Sequence, residues 1–279
     1  MIKHYYSLAK PGIIYGNILT VSAGYFLNKG PHGFGLYCLT LVGISLVMAC
    51  GCVVNNYYDR DIDERMERTK NRVLVQGLIS KRSVFVYAFL LGATGLLILS
   101  LGANILTGAI AAIGLFFYLV IYTFWLKRRS ILGTFVGGVA GAIPPVVGYC
   151  AASNQLDFTA LALFMILFIW QLPHAYAIAI YRMKDYQAAN IPVLPVIKGL
   201  SYTKIMMVCL IPIFMITTWM PFLLGNKGIE YLVAASIVGV LWLVLGILGL
   251  WTQDIHKWAR RMFLFSIVVI VALCIMLIV

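Results

Sequence analysis

Acidic side chains are scarce in this chain: nine Asp and Glu stand against 21 Lys and Arg in 279 residues, and charged residues of both signs make up only 11%. An ordinary soluble domain carries about a quarter of its residues as charges, so that class is excluded. Cysteine pairs are missing too. The six cysteines (Cys38, Cys50, Cys52, Cys150, Cys209 and Cys274) lie mostly in apolar runs, and Cys50-Gly-Cys52 has no second pair to complete a zinc site. They read as small packing residues. There is no linker or low-complexity tract to divide the chain, which is expected to form one domain over residues 1–279. An Arg- and Ser-rich transit peptide is also lacking, which favours a bacterial inner membrane over an organelle.

What is present in quantity is apolar sequence, 62% of the residues, with a mean hydropathy of +0.97. Eight stretches approach the length of about 20 residues that a helix needs to cross a bilayer: residues 36–54, 84–101, 105–125, 131–151, 158–180, 205–224, 229–251 and 262–279. A ninth, 13–27, is short and follows Lys3 and Lys10, but no small-residue cleavage site comes after it. It is therefore read as the first spanning helix and not as a signal peptide. The expectation is an all-α polytopic membrane protein of nine transmembrane helices in a single bundle. With the N-terminus cytoplasmic and the C-terminus periplasmic, 19 of the 21 basic residues fall in cytoplasmic segments, and only Lys29 and Lys227 fall outside. That bias fixes the orientation. The net charge of +12 then reflects topology and anionic lipid headgroups, and gives no reason to propose nucleic acid.

Five of the nine acidic residues (Asp59, Asp61, Asp63, Glu64 and Glu67) fall within nine positions at the end of one apolar run. Charge at a membrane helix end is costly, so it marks function. Asn55, Asp59 and Asp63 are spaced four apart, which places an amide and two carboxylates on one helical stripe, with Asp61 about 200° away from Asp59. Such hard oxygen donors suit Mg²⁺. Basic residues follow at once: Arg65, Arg68, Lys70 and Arg72. They are what a phosphorylated ligand would need beside that metal. The alternative is a solvated helix end of mixed charge.

A second polar cluster, residues 181–195, emerges four helices later on the same side, which suggests two four-helix halves plus a ninth helix. Between the two clusters, Lys127, Arg128 and Arg129 end another span on that side. The Gly-rich run 133–142 lies inside a span, so close helix approach is its reading and a phosphate loop is not.

Lys10-Pro11-Gly12-Ile13, the run from Asn55 through Asp63, Met66 through Arg72, Trp170-Gln171-Leu172-Pro173-His174, and Asp185-Tyr186 through Pro195 together resemble the UbiA-type intramembrane prenyltransferases. The resemblance covers nearly the whole chain. It is strongest to the branch that moves the farnesyl group of farnesyl diphosphate onto a vinyl group of heme b with addition of water, giving heme o. It implies a cytoplasmic-side active site with Mg²⁺ on Asn55, Asp59, Asp63 and Asp185. Diphosphate contacts would come from Lys127, Arg128 and Arg182, with Lys10, Arg68, Lys70 and Arg72 as weaker candidates. It further implies a product destined for terminal heme-copper oxidases or a heme a synthase. In this superfamily the second motif often has two aspartates four apart, whereas here Ala189 stands four after Asp185.

His174 is the one histidine inside a confident span; His4, His32 and His256 sit near helix ends. It lies eleven residues, about 16 Å of helix, before Asp185. That spacing suits a large acceptor held deeper than the diphosphate, with His174 on the heme iron or orienting the macrocycle. A core histidine bonded to a neighbouring helix is the alternative. Two other functions compete: prenylation of an aromatic quinone precursor, and an ion-coupled transporter using Asn55, Asp59 and Asp63. Ala189 argues against the first. The helix-end position of the stripe, away from the bilayer midplane, argues against the second.

Overall fold

The computed structural model describes residues 2–28, 30 and 33–279, and no strand occurs among them. Lys29 and His32 lie outside the described residues. The chain runs through α1 (Ile2–Leu8), α2 (Pro11–Leu27), α3 (Phe34–Tyr58) and the short α4 (Arg60–Glu64). Next come α5 (Lys81–Leu97), which continues as a π-helix over Ile98–Ala103, and α6 (Ile105–Phe116), which continues as a π-helix over Phe117–Trp125. Then follow α7 (Leu132–Gly141), α8 (Ile143–Ser153), α9 (Phe158–Tyr181), α10 (Met183–Ala188) and α11 (Leu194–Ile197). The long helices α12 (Leu200–Leu223), α13 (Ile229–Leu248) and α14 (Ile255–Ile278) close the order.

Eight helical segments among the described residues are long and apolar enough to cross a membrane. The short first stretch forms α2, whose 17 residues fall just below that length. It packs within the bundle against α3, α8 and α14. The stretch 131–151 differs from expectation in being two helices. Pro144 and Pro145 have no N–H to donate, and they are accommodated in the first turn of α8 after a break at Ala142. The last span begins earlier than expected, at Ile255, because Asp254 caps it by accepting from the Lys257 amide at 3.0 Å. Ser80, Asn104 and Asp157 cap α5, α6 and α9 in the same way.

Lipid offers helices no hydrophobic drive to associate, so close approach at small residues holds the bundle together. α2 and α8 show this reciprocally. A Cβ at Gly24 would strike the Pro145 carbonyl, and a Cβ at Gly148 would strike the Val21 carbonyl. Gly148→Leu is accordingly expected to destabilise the protein by at least about 1–3 kcal/mol, the usual range for overpacking. A lowered detergent melting temperature checks this; an unchanged one would mean the two helices are free to separate. The Gly-rich run on α7 works as expected. Gly137 faces the Tyr122 ring, and Gly138 faces Phe168 on α9.

Polar contacts sort the loops into two sets. At one end Asn56 Nδ2 donates to the Leu8 carbonyl (2.9 Å), Tyr58 Oη to the Phe124 carbonyl (3.2 Å), and Tyr181 packs on His256. At the other, Asn28 Nδ2 donates to the Ala152 carbonyl (3.2 Å), Asn104 Nδ2 to the Cys150 carbonyl (2.9 Å), and Asn226 Nδ2 to Thr159 Oγ1 (3.0 Å). Both polar clusters and the Lys127–Arg129 run belong to the first end.

Candidate active site

The Asn55–Asp59–Asp63 stripe survives the end of α3. The Asp59 amide donates to the Asn55 carbonyl (2.9 Å) and the Asp63 amide to the Asp59 carbonyl (2.8 Å), so the i, i+4 register carries across the junction into α4. All three side chains are buried, with Asp59 1% and Asp63 2% exposed. Two carboxylates this deep need compensation. Lys127 Nζ pairs with Asp59 Oδ2, which also accepts from Asn55 Nδ2 at 2.8 Å. Arg72 Nη1 pairs with Asp63 Oδ2 at 2.5 Å, and Lys10 Nζ donates to Asn55 Oδ1 at 2.8 Å. Burial pushes the Lys10 ammonium down to about 8, and the neighbouring Arg72 and Lys127 charges push the same way.

One cavity of about 410 Å³ is lined by these groups apart from Asn55, which sits behind its wall against Lys10 and Asp59, and its size is usual for a ligand pocket. Asp59, Asp63, Lys10, Arg68, Arg72 and Lys127 line it, and so does His174. The expected residues therefore divide. Arg128, expected as a diphosphate contact, does not line the cavity: its guanidinium donates to both Asp61 oxygens at 2.7 Å, lies over the Tyr58 ring and stands 3.7 Å from Asp59 Oδ1. That pairing holds the Asp61 carboxyl below the usual carboxylate range. Lys70 pairs with Glu67 at the surface (2.7 Å), and Arg182 lies over Tyr181; neither lines the cavity. Asp185 does not line it either, although its neighbour Tyr186 does. Ala189 has a packing reason: it is 4% exposed in a small cluster with Ile62, Met66 and Ile191 that pins α4 to the α10–α11 turn. An aspartate there would bury a charge among apolar groups.

Several cavity residues escaped the sequence reading. Tyr118 and Tyr122 stack at 5.8 Å between ring centroids on the π-helical segment. In that segment Thr123 Oγ1 donates to the Tyr118 carbonyl (2.8 Å) and accepts from Asn55 Nδ2 (3.2 Å). π-Helical turns recur at functional sites, and here one aims a hydroxyl at the stripe. The i, i+4 tyrosines leading to Lys127 were a readable signal; the π register was not. A second cavity, of about 600 Å³, lies at the opposite end of α9 and is almost wholly apolar. Its one charged residue, Asp157, is occupied in capping α9 and accepting from Tyr149 Oη at 2.7 Å.

Whether the stripe fits a divalent ion can be judged from its donors. Among the described residues no three His, Cys, Asp or Glu side chains converge. Asp59 Oδ1, however, is a buried acceptor without a hydrogen-bond donor. Mg²⁺ is commonly held by one or two carboxylates plus substrate phosphates, and two buried carboxylates with one open oxygen meet that pattern. The residues fit.

Buried carboxylates faced by cations in one cavity, at the end of an all-helical membrane bundle, define a membrane protein equipped to handle a phosphorylated ligand. The chain belongs to the UbiA prenyltransferase family, whose model matches residues 17–268. It is 51% identical over 278 residues to the protoheme IX farnesyltransferase of Yersinia enterocolitica, covering 99% of this chain and 94% of that one. Identity to the protein of the same name in Cronobacter sakazakii is also 51%, with the same coverage. In fold it is similar to a digeranylgeranylglyceryl phosphate synthase (TM-score 0.82, 20% identity, 99% and 97% of the two chains). It is similar as well to a UbiA homolog from Archaeoglobus fulgidus bound to GPP and Mg²⁺ (TM-score 0.69, 16% identity, 99% of both chains).

Proposed function

We propose that this chain transfers the farnesyl group of farnesyl diphosphate to a vinyl group of heme b with addition of water, giving heme o and diphosphate. The observation that carries the reading is one cavity holding the buried Asp59 and Asp63, four cations and His174. Relatives about 50% identical over nearly the whole chain, named protoheme IX farnesyltransferases, support the choice of acceptor. The work is done by one domain over residues 1–279.

Asp59 and Asp63, with Asn55, would hold Mg²⁺, which when bound neutralises the departing diphosphate as a Lewis acid. Lys127, Arg72, Lys10 and Arg68 take up the same charge from the cavity wall, and Arg128 adds to it from beside Asp59. The allylic C–O bond breaks and its electron pair leaves with the diphosphate. The farnesyl cation then bonds to the outer vinyl carbon. A water oxygen adds to the carbon next to the porphyrin and loses a proton, which leaves the hydroxyethylfarnesyl group. The Tyr118 and Tyr122 rings flank this path and can stabilise positive charge with their faces. His174 binds the heme. Asp185 stays a candidate donor one residue from the cavity wall at Tyr186. A raised Mg²⁺ requirement in Asp185→Ala would place it in the donor set, and an unchanged one removes it.

The setting we propose is the bacterial inner membrane, with α2 as a ninth span, the N-terminus and active site cytoplasmic and the C-terminus periplasmic. The product would pass to heme-copper oxidases or a heme a synthase. Cysteines introduced at Asn154 and Asn226 should react with an impermeant thiol reagent from the periplasm, and cysteines at Arg129 and Lys198 should not. The reverse pattern refutes the orientation. Activity is tested with radiolabelled farnesyl diphosphate and Mg²⁺, offering membranes either heme b or a quinone precursor. Label in the quinone precursor alone would give the site a different acceptor.

A further inference from the structure

The two nitrogens of His174 have unequal surroundings. Nδ1 lies 2.7 Å from the Ser266 hydroxyl on α14. That hydroxyl has a single hydrogen, and it lies 2.6 Å from the Phe263 carbonyl oxygen. Two oxygens so close would repel without a hydrogen between them, so the Ser266 proton is committed to Phe263. Towards the ring, Ser266 Oγ can then only accept. The bond runs from Nδ1–H of His174 to Ser266, which in the neutral imidazole leaves Nε2 as the unprotonated nitrogen with its lone pair free.

The same serine grips the ring a second way. Trp170 stacks on the imidazole at 4.5 Å between centroids and 24° between planes, and its indole N–H donates to the Ser266 carbonyl at 2.8 Å. Phe263 flanks the ring at 5.2 Å. Ser266 is fully buried in an otherwise apolar stretch of α14, and its bond to Phe263 already satisfies its hydrogen. Nε2 makes no hydrogen bond among the described residues and is not among the sealed, unpartnered polar atoms. His174 lines the cavity that holds Asp59 and Asp63.

We infer that Ser266 is a positioning residue: it holds His174 in the Nδ1–H tautomer, in a fixed plane, so that Nε2 is presented as a ligand to the iron of the heme acceptor. The inference rests on the reading of His174 as the heme-binding residue. A partner on the far nitrogen of a metal-bound imidazole sets its tautomer and raises its basicity, and losing such a partner typically weakens metal binding about 10- to 100-fold.

The test uses the full chain in detergent with ferrous heme b, and reads heme affinity and the iron–histidine stretch by resonance Raman. Ser266→Ala should bind heme about 10- to 100-fold more weakly and shift the stretch to lower frequency, because the ring N–H has lost its acceptor. Ser266→Thr, which keeps the hydroxyl, should restore both. Farnesyl diphosphate affinity should be unchanged in each variant. Wild-type stretch and heme affinity in Ser266→Ala, with the stretch abolished in His174→Ala, would overturn the role of Ser266 and leave the ligand assignment standing. No iron–histidine stretch in the wild type, and none lost in His174→Ala, would overturn the assignment beneath it. Loss of farnesyl diphosphate affinity in Ser266→Ala would make Ser266 a general packing residue and overturn the inference as well.

Discussion

Asp59→Asn is expected to lower turnover about 100- to 1000-fold, the effect of removing one preorganised stabiliser of developing charge. Asparagine keeps the volume but removes the charge and turns one acceptor oxygen into an N–H donor, so the loss reports electrostatics and ligand chemistry and not a cavity. Asp59 is 1% exposed and its Oδ1 has no hydrogen-bond donor. Asp63→Asn should behave alike, since its Oδ2 is the group that holds Arg72 over the cavity. Both variants leave a partly buried cation without its partner, and a melting curve separates that cost from catalysis. Asp61→Ala should be much milder, because Asp61 is half exposed, pairs with Arg128 and does not line the cavity. Near-full activity in Asp59→Asn with unaltered Mg²⁺ dependence would remove the stripe from the chemistry.

His174→Ala is expected to be comparably damaging through a different substrate. Heme b affinity should fall and its Soret band should shift, while farnesyl diphosphate affinity stays near the wild-type value, because the diphosphate contacts we propose are other groups of the cavity wall, Lys10, Arg68, Arg72 and Lys127. An unshifted Soret band with intact heme affinity would make His174 a packing group joining α9 to α14 through Ser266.

Site and fold were legible in the sequence wherever polar chemistry stood out against apolar surroundings. Nearly all spans, the oxygen-bearing stripe and His174 could be read because polar atoms are costly in a bilayer. Arg72 shows the limit. Its place near the motif was visible, but its ion pair with Asp63 depends on how the chain after α4 folds back, which no periodicity encodes. The same holds for Lys127, placed by a π-helical turn and a 3₁₀ turn at the end of its span. Arg182, a diphosphate contact by the resemblance, stacks on Tyr181 and does not line the cavity. The break between α7 and α8 has a visible cause in the sequence, the Pro144–Pro145 pair. Ser266 gave no signal, because a lone serine in an apolar helix looks like packing until its partner is seen.

The most direct test of the central claim is the mass of the product formed by the purified protein from heme b, farnesyl diphosphate and Mg²⁺. The expected product is heme b plus one farnesyl group and one hydroxyl, absent when Mg²⁺ is chelated and reduced at least about 100-fold in Asp59→Asn. Unmodified heme b, alongside a prenylated quinone precursor in the parallel reaction, would contradict it.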